Sequence, residues 1–170
     1  MKNGYKHRFE KTVGGILNIL FTPADNIRNA DIDPLTGRFR RISLADPEQL
    51  AECTFAENAA EYHEETDRSN GIPSVNHTLE FHTDKIDRES DRLLRELADT
   101  SVCGLAAVVT TRNQTRLVIG YSPQHGAERP LRLLKISADT GRKHTDTGHE
   151  AIRLFSRDTV RAGILDGDIG

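Results

Sequence analysis

What this chain lacks narrows it first. No stretch approaches the ~18–20 apolar residues that a membrane span requires. The opening MKNGYKHRFEKTVGG holds no apolar run of the ~7–15 residues that a secretory signal needs. A basic surplus is missing too: the net charge is −3, which gives no electrostatic footing for direct, sequence-specific binding of nucleic acid. There are two cysteines, Cys53 and Cys103, in no metal or redox motif. Both read as reduced strand residues of a cytosolically made protein, and a bridge between them has no support in the sequence. Phosphate cradles are absent: Gly14-Gly15 has neither the flanking glycines nor the lysine of a P-loop and precedes a strand. Hydrophobic residues make up only 36% of the 170 positions and charged ones 29%. That is one polar domain with a thin core, extended loops, or burial completed between subunits.

What is present is one helical stretch among strands. Asp84 to Asp99, DKIDRESDRLLRELAD, puts Ile86, Leu93, Leu94 and Leu97 on one stripe with Ser90, and charge nearly everywhere else. Thr83 or Asp84 can cap it, and Asp91 with Arg95 can pair on the wet side. No other segment has a comparable helical period.

The flanking segments alternate as strands do. Val13–Phe21 is apolar on both faces, with Leu17, Ile19 and Phe21 opposed to Ile16, Asn18 and Leu20. Breaker residues make 22–36 a long loop. Gly37–Leu44 is a strand bearing Arg38, Arg40 and Arg41, either a solvated edge protected by its charge or a surface facing a lumen or a partner. A hairpin of 60–67 with 75–82 turns through Asn70-Gly71, with Val75, His77, Leu79 and Phe81 on one face. Val102–Thr111 and Thr115–Tyr121 form a second antiparallel pair. Leu131–Ser137 and Ala151–Phe155 follow. Residues 1–12 read as a flexible arm and 156–170 as a tail. The expectation is an α+β, mainly β domain: an antiparallel β-sandwich or partly open barrel of about seven to nine strands, with the 84–99 helix packed on it.

Two side-chain groups raise the question of chemistry. Glu61, His63 and Glu65 alternate on one strand, with His77 or His82 across the hairpin, a donor set that could meet a divalent ion. There is no HExxH, no cysteine ligand and no repeated ligand spacing, and period-two charge is routine on a half-exposed strand. His144, Asp146 and His149 could orient a general base, but Cys103 sits in an apolar run where a thiol is inert, so no nucleophile is at hand. No catalytic residue, metal or cofactor is assigned.

The order of elements carries a resemblance. AEYHEETDRSNGIPSVNHTLEF is followed by the amphipathic helix and by VVTTRNQTRLVIGYS, in which Leu117 to Ser122 makes a Leu–x–Gly–x–Ser-like phrase. Pro130 to Leu133, the Asp139 to Gly141 turn and Asp158-Thr159 come after. Over residues 52–160 this resembles small structural proteins of phages and prophages of gut Bacteroidetes. The resemblance implies a non-enzymatic tail-tube, tail-terminator or head–tail connector-like protein that associates with itself and with other phage-like structural proteins in rings or tubes. It implies assembly in the cytoplasm and residence in a particle. The arm, the 22–36 segment and sheet edges would grip neighbours, and Arg38, Arg40 and Arg41 would face a lumen or an acidic neighbour. The competing expectation is a small metal-dependent enzyme or ligand-binding β domain built on Glu61, His63, Glu65 and His77 or His82.

Overall fold

The structure is a computed structural model that describes residues 14–68, 71–141 and 148–170. The expected arm and the His144 and Asp146 pair lie outside them, as does Asn70 of the hairpin turn. The described chain is mainly antiparallel β with one helix, in three open sheets.

The central sheet contains β1 (Ile16–Pro23), β4 (Ala51–Thr54), β7 (Leu105–Thr111), β8 (Arg116–Ile119) and β11 (Gly163–Ile164), in the order β11-β8-β7-β1-β4. β7 explains the three-layer build. Leu105, Ala107 and Val109 join one core cluster, while Ala106 and Val108 join another. A strand covered on both sides must be apolar at every position, hence the unbroken run LAAVV.

On one side lies the four-stranded sheet of β5 (Ala60–Asp67), β6 (Ser74–His82), β9 (Arg132–Asp139) and β10 (His149–Asp158), in the order β5-β6-β10-β9. The expected hairpin forms with Ala60 opposite Phe81 and Thr66 opposite Val75. Val75, His77, Leu79 and Phe81 all point inward and are buried. On the other side of the central sheet sit β2 (Ile27–Ile32) and β3 (Phe39–Leu44), paired antiparallel.

The helix, α1, spans Arg88–Cys103, later than 84–99. Asp87 is its cap, since its carboxylate accepts from the Glu89 and Ser90 amides at 3.0 and 2.9 Å and the Ser90 hydroxyl returns to the Asp87 amide at 3.0 Å. That reciprocal pair satisfies donors that Thr83 and Asp84 cannot reach. Leu94 and Leu97 are buried against the sandwich core, worth about 1.5–3 kcal/mol each. Ile86, ahead of the first turn, is left outside the stripe and exposed. The helix ends where Gly104 takes φ +110°, and a Cβ there would come 2.4 Å from the Pro130 ring. Val102 and Cys103 therefore belong to the helix and not to the following strand, and Cys103 is exposed.

Three further expectations need correction. Residues 22–36 are not one loop: they hold the end of β1, a short 3-10 turn and β2. The strand is half polar because only one face is covered, and the alternation through Asn29, Ala30 and Asp31 is too weak to show among breaker residues. Leu17 is exposed and Ile16 is buried, because a register shift between Ile16 and Asn18 makes Leu17 the extra residue of a bulge.

The third correction concerns 156–170 and β3 together. The last residues are not a tail. Phe39 bridges Leu165 and Ile42 bridges Ile169 in parallel, with Ile42 N–H donating to Asp168 at 2.9 Å and Gly170 N–H donating to Ile42 at 3.1 Å. β3 is thus paired on both sides and is no edge. The contact demands glycine: a Cβ at Gly167 would meet the Arg40 carbonyl at 1.8 Å, and one at Gly163 the Phe39 ring at 2.3 Å.

Candidate assembly interface

The four-stranded sheet has two end strands, and they are alike in length and unlike in charge. β5 and β9 are each eight residues long. Among the described residues no strand pairs with the outer edge of either. Every residue of β9 is exposed.

Cross-strand partners share a face, which sorts the side chains. Leu133 stands opposite buried Leu154, and Ile136 opposite buried Ile152, so both belong to the inner face. They remain 37% and 41% exposed, although α1 lies beside β9, where Arg132 donates to the Val102 carbonyl at 2.6 Å. Leu134, the extra residue of a bulge between these pairs, is 59% exposed. A long edge strand with three partly exposed aliphatic side chains is the arrangement that invites another strand.

The outer face carries a charge gradient across the sheet. At the β5 end are Glu61 and Glu65, with Glu80 on the neighbouring β6. Toward the other end come Arg153 and Arg157 on β10, then Arg132 and Lys135 on β9. Arg153 and Glu80 meet in the middle as an ion pair. The β5 edge is acidic, and the β9 edge is basic over Arg132 and Lys135, with Asp139 at its far end.

The structure does not bring the expected metal donors together. Glu61, His63 and Glu65 face outward and are exposed. His77 lies on the opposite, inner face, 3% exposed. His82 stacks edge-on with His149 at 5.6 Å between ring centroids, and its buried Nδ1 has no hydrogen-bond partner among the described residues. No group of three or more metal-ligating side chains exists among the described residues.

The residue that the alternation passed over is Glu64. It shares the inner face with its cross-strand partner His77. Its Oε1 accepts from Arg161 Nε at 2.5 Å, and its Oε2 accepts from the Ala162 amide at 2.8 Å and the Tyr62 hydroxyl at 3.1 Å. Tyr62 Oη is also 2.7 Å from His77 Nδ1. Burial opposes charge on Glu64, yet these donors outweigh it and hold the carboxyl below its ordinary range. Burial pushes the His77 imidazole down, against the pull of Glu64, the Val160 carbonyl and Asp158, so the ring is neutral. Both oxygens of the carboxylate are engaged. The cluster therefore works as a clamp, fastening the 161–162 segment to β5. A single sequence signal could have found it: Glu64 alternates with Glu61, His63 and Glu65 on the face that Tyr62 assigns to the interior.

The three arginines are also accounted for. Arg38 pairs with Asp166 at 3.2 Å and Arg40 with Asp33 at 3.0 Å. Arg41 stands opposite Asp31 and is exposed. A shift between Asp31 and Ile32 leaves Arg40 as the extra residue of β3, which is why Phe39 and Ile42, three apart, are both buried. Two of the three charges are thus partnered within the chain.

No family model, curated protein or solved structure matches the chain. No helix among the described residues is long and apolar enough to cross a membrane.

Proposed function

We propose that this is a non-enzymatic assembly protein that extends its four-stranded sheet head-to-tail, the basic β9 edge of one copy pairing with the acidic β5 edge of the next. The observation that carries the reading is β9: an end strand of eight exposed residues that leaves Leu133, Leu134 and Ile136 partly open to solvent. The directions agree. Strands alternate across the sheet, so β9 and β5 run oppositely, and a repeat in the same orientation sets them antiparallel. Lys135 then faces Glu61 on the outer side, an opposite-charge pair worth about 0.2–1 kcal/mol, and Arg132 stands opposite His63, diagonal to Glu65. On the inner side Leu133 and Ile136 meet Ala60 and Tyr62. Contact between two different surfaces gives a ring if the rotation closes and a filament if it does not. That geometry suits a phage-like tail or connector component, the class that residues 52–160 resemble.

Light scattering over a concentration series tests this. The wild-type chain should associate, and Lys135→Glu or Glu61→Lys alone should weaken association about tenfold. The double variant should regain most of it, since each contact again joins unlike charges. A strict monomer at high concentration, unaffected by either change, overturns the proposal.

A further inference from the structure

Among the described residues no three metal-ligating side chains converge, but two imidazoles do. His82 closes β6 and His149 opens β10. Ala151 stands opposite His82, so His149 is the diagonal neighbour of His82 on the outer face, within reach of a ring. The two ring centres are 5.6 Å apart and the rings are inclined at 62°. Two imidazoles bound to one ion at about 2.0–2.1 Å, at a tetrahedral angle, put their ring centres about 5.3 Å apart. The pair stands at the spacing of two ligands of one ion.

The backbone holds that spacing. Thr83 N–H donates to the Glu150 carbonyl at 2.8 Å, and the Thr83 hydroxyl accepts from the Glu150 amide at 3.2 Å. His82 N–H donates to the Ala59 carbonyl at 2.9 Å. Both histidines thus sit on paired strands rather than on a loop, which favours a pre-organised site. A bare buried polar atom such as His82 Nδ1 is costly, and a cation is a partner that an imidazole nitrogen can take. The cleft beside the pair, about 240 Å³, is also lined by Glu61 and Glu80, and Asp139 stands opposite His149. Arg153 neutralises Glu80, which leaves Glu61 and Asp139 to favour a cation.

The geometry points to a divalent transition-metal site on the outer face, with His82 and His149 as its protein ligands and water in the remaining positions. Imidazole donors suit copper, nickel and zinc, whereas calcium and magnesium take oxygen. Two protein ligands are fewer than a structural zinc takes, so the ion exchanges and the fold does not depend on it. The inference is independent of head-to-tail growth, because β6 and β10 are interior strands of their sheet.

Titration calorimetry of the full chain with Zn²⁺, Ni²⁺ and Cu²⁺, above neutral pH, tests it. One ion should bind per chain, Cu²⁺ most tightly. His82→Gln and His149→Gln should each weaken binding by more than about tenfold, a loss that outer-shell changes alone produce. The double variant should lose little more than either single one, because a lone imidazole cannot chelate. In the wild-type chain, substoichiometric Cu²⁺ should broaden the ring signals of His82 and His149 before those of His63, His77 and His125, a readout that needs no variant. Binding unaltered by both single changes, or broadening that reaches the other histidines first, overturns the site in favour of adventitious surface binding. No heat with any of the three ions, together with no selective broadening, overturns it outright.

Discussion

Glu64 and Arg161, 97 positions apart in sequence, are joined through Oε1 and Nε at 2.5 Å, and the same carboxylate receives the Ala162 amide. One side chain on β5 thereby fixes the path from β10 into β11. Glu64→Gln keeps the shape but removes the charge and one of the acceptors. Urea unfolding should show a loss of about 1–3 kcal/mol, the cost of leaving a charged donor and a buried amide poorly matched. The Ala162 amide should exchange faster before global unfolding. An unchanged midpoint and an unchanged Ala162 rate would contradict the clamp.

The same cluster sets a pH dependence with a definite sign. His77 has its folded value below the ordinary 6.5. Between those two values the unfolded chain takes up a proton that the folded chain refuses, so stability declines as the pH falls below about 6.5. Glu64 has its folded value below the ordinary 4.5. Its contribution is complete above that ordinary value and is lost as the pH falls toward the folded one. Melting temperature against pH should therefore fall in two stages. His77→Gln should flatten the first and leave the second, whereas an unaltered profile would assign the first stage to other groups.

The two thiols are free and differ in access. Cys103 ends α1 in the open. Cys53 is buried on β4, and burial, followed by Glu52 and Glu96, pushes its thiol up to about 11. Titration with an aromatic disulfide at neutral pH should consume one thiol promptly and the second only on unfolding. Mass mapping should place the prompt adduct on Cys103. Equal rates at both sites would contradict the burial of Cys53.

The sequence made some of this legible and concealed the rest for physical reasons. The β5–β6 hairpin was readable in its extent and in the face it buries, because Val75, His77, Leu79 and Phe81 alternate without interruption. The helix was readable from Leu93, Leu94 and Leu97, but its start was not: Asp84 and Asp87 are both plausible caps, and only the return bond from Ser90 decides between them. β2 was hidden because a strand covered on one face, with Asn29 and Asp31 outward, looks like a polar loop. The union of β3 with residues 163–170 depends on a separation in sequence that no local pattern reports. Glycines 163 and 167 are its trace, and by themselves they read as chain-end flexibility. The edge charges of β5 and β9 were visible residue by residue, but their opposition across one sheet emerges only once the strand order is known.

The pairing of β3 with the last residues also bears on synthesis. Phe39 and Ile42 leave the ribosome well before residues 163–170, which supply one flank of their sheet. A nascent chain must carry that apolar ribbon half-covered until those residues follow, so a slow ribosome or a truncated message exposes a surface suited to mispairing. Emergence of residues 163–170 is then the event that closes the layer.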